Sequence, residues 1–302
     1  MRGRRALAIF AVPLLLSACL SFPQPPGGEV AVRIAHSEIS LPEGVELYEI
    51  NQQDQTGSPR ARVQHPTISA PHRNLVFVAL DQKFQAFFDD DLKALYKTDQ
   101  QVRMEDIAWW LIAPETKKIY NQVIRLSHTQ FTRETLVSAL DYAEKLGEPY
   151  DVFLMTHGFP NNIVTIDKSK PVTWEDIGNW KGRFPRMELM FMQSCYGSSL
   201  GADWLAAGAK AVMGYKGMDR NFFYPITLLK TMRKHLTRFG MPLRNLGNQE
   251  RLARLKASYD EANLLVQEDV HRSELAGFMV KALGLTLEDY LKQASNPQLL
   301  MQ

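Results

Sequence analysis

Apolar runs of strand length alternate along this chain with stretches whose apolar positions recur at helical spacing. LVFVAL (75–80) is a fully apolar run, and FQAFFDDDLKALYK after it sets Phe84, Phe87, Phe88, Leu92 and Leu95 on one helical face. KIYNQVIRL (118–126), DVFLMT (151–156), MELMFMQS (187–194) and AKAVMGY (209–215) predict four more strands. Thr132 opens a helix with Leu136, Leu140, Tyr142 and Ala143 facing inward, and Gly147 is placed to end it. NNIVTID predicts a short hairpin element, Thr173-Trp174-Glu175-Asp176 has the form of a capping box, and 198–207 reads as a helix. Apolar strands alternating with amphipathic helices predict an α/β fold, a mostly parallel sheet flanked by helices on both faces. Beyond Phe222 the pattern is helical throughout, with helices expected over 224–236, 249–266, 273–283 and 286–293.

The first 73 residues follow other rules. Three arginines in MRGRR precede the apolar run ALAIFAVPLLL, which ends in Leu16-Ser17-Ala18-Cys19. That run is too short to span a membrane, which takes about 20 apolar residues, and it reads as a signal peptide over 1–18. SFPQPPGGE after Cys19 reads as a tether, and 30–72 is mixed: VAVRI and VELYEI have strand character amid polar, broken sequence. We therefore divide the chain into a signal peptide (1–18), a tether and N-terminal extension (19–73), an α/β domain (74–222) and a helical C-terminal part (223–302).

Charge excludes one class of partner. The formal net charge is +2, and without the three N-terminal arginines 32 basic residues face 33 acidic ones. No strong basic field argues for nucleic acid. Neither a metal-spaced His/Cys cluster nor a phosphate-loop glycine pattern occurs, so no cofactor is expected.

The candidate chemistry sits where two strands stop. DVFLMT ends at His157-Gly158, and MELMFMQS ends at Cys195 with Gly197 two residues on. Sites in parallel sheets lie at the carboxyl ends of the strands. If these two strands are neighbours, their ends lie about 5 Å apart, or about 10 Å with one strand between. An imidazole beside a thiol can act as general base and keep it a nucleophilic thiolate. Gly158 N–H and Cys195 N–H are placed to receive an oxyanion. Gly197 permits the sharp turn that sets the nucleophile clear of the next helix. A plain structural reading stands beside this one: a lone cysteine is a common core residue, and a histidine beside glycine often serves only packing.

Two resemblances sharpen the expectation. Leu-Ser-Ala-Cys19 resembles the lipobox of bacterial lipoproteins, which implies diacylation of Cys19, cleavage before it and a membrane lipid anchor. Leu20 in place of Asp then points to the periplasmic side of the outer membrane if the source is Gram-negative. Cys195 would remain as a thiol with no disulfide partner in an oxidising compartment.

A strand ending His157-Gly158, followed 38 positions later by a strand ending Gln193-Ser194-Cys195-Tyr196-Gly197, resembles the caspase-like clan of cysteine peptidases. That clan includes caspases, legumains, metacaspases, gingipains and clostripain, and the likeness covers roughly residues 74–215. The downstream GADWLAAGAKAVMGY is similar to the helix and strand that follow the nucleophile in the clan. The resemblance implies a His157/Cys195 dyad, an oxyanion hole at Gly158, no metal, and a peptide or protein substrate. It also sets Gln193 where the clan has a pocket-wall glutamine. No arginine follows the first strand as it does in caspases. Asp81 stands there instead, and Asp219 follows the fifth strand, so either carboxylate could select a basic residue before the scissile bond or simply be a solvated loop acid.

The first functional expectation is a lipid-anchored cysteine endopeptidase. A thiol acyltransferase or transpeptidase would use the same pair, and a non-catalytic envelope lipoprotein would use the fold as a binding or assembly platform.

Overall fold

Strands buried on both faces need mostly apolar side chains at successive positions, and the strands Asn74–Leu80, Met187–Gln193 and Ala211–Gly214 are buried at every position. The computed structural model describes residues 45–49, 73–80, 104–116, 119–126, 131–217, 223–236, 247–271, 280 and 285–302. Within it, β1 (Val45–Glu49), β2 (Asn74–Leu80), β3 (Gln122–Leu126), β4 (Tyr150–Thr156), β8 (Met187–Gln193), β9 (Ala211–Gly214) and β10 (Gln298–Met301) form one sheet. Their order is β1-β3-β2-β4-β8-β9-β10. The five inner strands are mutually parallel, and β1 and β10 close the two edges antiparallel. A second, three-stranded sheet of β5 (Gly158–Phe159), β6 (Asn162–Ile163) and β7 (Val172–Thr173) follows β4.

Alternate residues of each inner strand feed two separate cores. Leu75, Phe77, Phe153 and Phe191 pack with α1 (Met104–Thr116), α5 (Tyr224–Leu236) and α6 (Asn248–His271). Val76, Val78, Val152, Leu154 and Met190 pack on the other face with α2 (Arg133–Lys145), α3 (Trp174–Gly178) and α4 (Gly201–Ala207). The strand period of two thus puts an apolar residue on each face in turn. The α/β class and the mostly parallel sheet covered on both sides are as the sequence pattern predicts.

Helix starts follow the side-chain chemistry. Thr132 and Thr173 each close a capping box, with Thr135 and Asp176 as the reciprocal partners, and Thr286 accepts from Asp289 N–H ahead of α7 (Leu287–Gln293). Gly147 takes a positive φ of 80° just past α2, a conformation glycine adopts without steric cost.

Three expectations need correction. The C-terminal part is not helical throughout: the chain returns to the sheet as β10, whose Leu300 packs over Gly201. The preceding helix ends at Gln293, and the four residues of β10 are too few to show a period. The strand expected over 118–126 begins only at Gln122, because Ile119 and Tyr120 turn back to the Thr116 carbonyl. The helix expected over 198–207 opens as a 3₁₀ turn, Gly197–Leu200, before α4. The helices expected over 84–97 and 273–283 lie outside the described residues, apart from residue 280.

Charged side chains lie buried at the amino ends of the central strands. Arg73, just before β2, donates through Nε and Nη2 to the two carboxylate oxygens of Asp151 in β4, and Tyr120 Oη donates to the same carboxylate at 2.9 Å. Arg251 of α6 pairs with Glu188 of β8 nearby at 3.1 Å. Arg73 and Asp151 are 1 % and 0 % exposed. Burial alone would lower the Arg73 value, but the adjacent carboxylate overrides it and raises it. Burial pushes Asp151 and Tyr120 above their ordinary values as well. The shifts of Arg73 and Asp151 oppose one another, and the three donors on the carboxylate decide for an ionised pair.

Candidate active site

β4 and β8 are immediate neighbours, parallel, with Met155 opposite Gln193 as their last registered pair. His157 lies two residues beyond Met155 and Cys195 two beyond Gln193. Both residues therefore leave the carboxyl ends of adjacent strands, whose spacing is about 5 Å. Leu80 ends β2 opposite Thr156, so the same edge is shared by three strand ends. Both His157 and Cys195 are partly exposed, whereas Ser194 just before the thiol is buried.

Each side chain is carried on a fixed backbone. The His157 carbonyl accepts from Val164 N–H at 2.9 Å, and Thr156 Oγ1 donates back to the Val164 carbonyl at 2.9 Å. This anchors the small sheet to the end of β4. On the other side, Tyr196 adopts a left-handed conformation with φ 58°. Such a residue is costly for an L side chain and persists only where its surroundings hold it. Here Tyr196 N–H donates to the Gly217 carbonyl at 2.8 Å, Gly197 N–H to Ser194 and Ser198 N–H to Tyr215. The turn bearing Cys195 is therefore held on both flanks.

Glycines make the close approaches possible. A Cβ on Gly158 would stand 2.5 Å from the Cys195 carbonyl oxygen and 3.1 Å from Ser194 Cβ. One on Gly197 would meet Met192 Cβ at 2.9 Å, and one on Gly214 would meet Ser198 N at 2.6 Å. The residue after the imidazole thus packs directly against the backbone of the thiol.

Several contributors escape sequence reasoning. Asn161 N–H donates to Ser199 Oγ at 2.8 Å, tying the hairpin after His157 to the turn after Cys195. Among the described residues, buried Ser194 Oγ has no hydrogen-bond partner and lies between Gly158 and Gly197. Gly214 and the left-handed Tyr196 also go unannounced. The glycine two residues after Cys195 was a visible signal for a sharp turn, but only packing singles out Gly214.

Gln193 ends β8 and is only 4 % exposed. Asp81, Asp219 and Cys19 lie outside the described residues. Among the described residues no group of three or more His, Cys, Asp or Glu could hold a metal ion, and no helix is long and apolar enough to cross a membrane. His157 and Cys195 thus follow the carboxyl ends of two adjacent strands, both partly exposed, with Gly158 packed against the Cys195 carbonyl. Such a site can carry nucleophilic acyl chemistry. No protein-family model matches this chain, and no curated protein matches it in sequence.

Proposed function

We propose that this chain is a lipid-anchored cysteine endopeptidase of caspase-like type, with Cys195 as nucleophile and His157 as general base. The observation that carries the reading is the direct parallel pairing of β4 with β8, whose register leads both residues to one edge. Cys195 gives its thiol proton to His157 and attacks the substrate carbonyl carbon, and the carbonyl electron pair moves onto oxygen. Gly158 N–H and Cys195 N–H receive that oxyanion. Collapse breaks the C–N bond as His157 returns the proton to the departing amine. Water, deprotonated by His157, then cleaves the thioester and restores the thiol.

The test is alkylation of Cys195 by iodoacetamide across pH. An ordinary thiol is only a few per cent thiolate at pH 7. A thiol activated by an imidazole should therefore react about ten to thirty times faster at pH 7 than the same thiol in His157→Ala, with the gap closing near pH 10. Equal rates for the two proteins at pH 7 would sink the dyad.

Asp81 or Asp219 selects Lys or Arg before the scissile bond, and Gln193 forms a wall of that pocket. Profiling of peptide libraries should show that preference weakened about ten- to a hundredfold in Asp81→Asn or Asp219→Asn. A wild-type preference for acidic or apolar residues there would end the assignment.

Lipidation of Cys19 places the protein at the membrane surface of a bacterial envelope. Cys19→Ser should move it from the membrane to the soluble fraction, and a variant that still sediments with membranes would refute the anchor.

A further inference from the structure

The hairpin that starts at Gly158 carries an exposed aromatic ring, and so does the helix start that follows the same small sheet. Phe159 in β5 is 59 % exposed and Trp174, the first residue of α3, is 50 % exposed. β6 lies between their strands: Phe159 pairs with Asn162, Asn162 pairs with Thr173, and Trp174 N–H donates to the Asn161 carbonyl at 3.0 Å. Two strand spacings, about 10 Å, separate the backbones that bear the rings, a span of about three residues of extended peptide.

These rings stand on a fixed base. The hydrogen bonds of Val164 to His157 and of Asn161 to Ser199 hold the hairpin to both sides of the candidate active site. The segment from Gly158 to Ile166 contains no charged residue. An uncharged hairpin with an exposed ring therefore begins next to His157, its polar side chains being the neutral Asn161, Asn162 and Thr165.

We propose that Phe159 and Trp174 form a shelf that receives apolar or aromatic side chains of the peptide substrate on the leaving-group side of the scissile bond. This rests on the peptidase reading, from which the direction follows. His157 protonates the departing amine, so the residues after the scissile bond lie on the imidazole's side, and that side leads onto the hairpin. The shelf adds contact area to the leaving-group half of the substrate, and its rigidity lowers the ordering cost of binding.

The experiment has two arms. In the first, the wild-type protein, Phe159→Ser and Trp174→Ser are profiled on a peptide library, and the three positions after each cut are read. The wild type should favour Phe, Leu or Trp there. The ratio of kcat/KM for apolar over serine-substituted peptides should fall about tenfold in each variant. No apolar preference on that side, or one that survives both substitutions, overturns the shelf while leaving the dyad standing.

In the second arm, a fluorescein-labelled decapeptide containing Phe-Leu-Phe is titrated by anisotropy against Cys195→Ala protein, with and without Phe159→Ser. Affinity about tenfold weaker with Phe159→Ser supports the shelf even if no peptide is cleaved, and unchanged affinity overturns it. Failure of the wild type to cut any peptide counts against the peptidase reading alone.

Discussion

Cys195→Ala is expected to abolish peptide cleavage, a fall of about 10⁴-fold or more, while thermal unfolding stays where it is in the wild type. Loss of a nucleophile removes the covalent route entirely, and the remaining groups then supply only binding and electrostatic help. The fold should be indifferent to the change. Cys195 is partly exposed, it belongs to neither hydrophobic core, and its turn is held by backbone hydrogen bonds of Tyr196, Gly197 and Ser198. The measurement is turnover of a cleavable peptide alongside a melting curve of both proteins. Turnover retained in Cys195→Ala would dispose of the dyad, and a large drop in melting temperature would recast the thiol as a structural residue. A binding platform predicts a third result, in which the wild type itself shows no turnover.

Asp151→Ala should cost about 3–5 kcal/mol of stability, because it leaves the Arg73 guanidinium buried without its carboxylate. Tyr120 loses its acceptor in the same change. Replacing both partners by apolar residues of similar volume, as in Arg73→Met with Asp151→Leu, should recover most of that loss, since neither member of the pair is then left charged without the other. Urea unfolding of the wild type and the two variants separates the two effects. If Asp151→Ala unfolds at the wild-type midpoint, the pair contributes nothing to stability. Alkylation of Cys195 should be unaltered in whatever fraction remains folded. The pair sits near the start of β4 and His157 just past its end, about 20 Å away along a strand.

How much of this protein was legible beforehand depends on the range of the interaction concerned. Local rules were enough for the strands that became β2, β4 and β8, for the helix starts at Thr132, Thr173 and Thr286, and for the stops at His157 and Cys195. Each of these rests on neighbours a few residues away, through periodicity or a side chain capping its own helix. The candidate site was legible in the same way, as two apolar runs each ending at a reactive side chain. Whether the two met was not.

The order of strands decides which strand ends are neighbours, and order comes from contacts between segments far apart in sequence. β4 lies against β8 across an intervening hairpin and helix, and it is this pairing, not either strand alone, that makes the strand ends before His157 and Cys195 neighbours. The edge strands were decided in the same manner. β1 and β10 are short, and each finds its place only because β3 and β9 present open edges for them to pair with.

The buried charges show the limit most clearly. Arg73 and Asp151 are of types buried only with a partner, and theirs is 78 positions away, beyond the reach of any local pattern. The left-handed turn at Tyr196 likewise depends on the Gly217 and Tyr215 carbonyls beyond β9. By itself the sequence determined the long apolar strands, the capped helix starts and the reactive side chains that follow β4 and β8. Tertiary structure decided which ends became neighbours, because strand order, register and the partners of buried polar groups are set by long-range packing that no local pattern encodes.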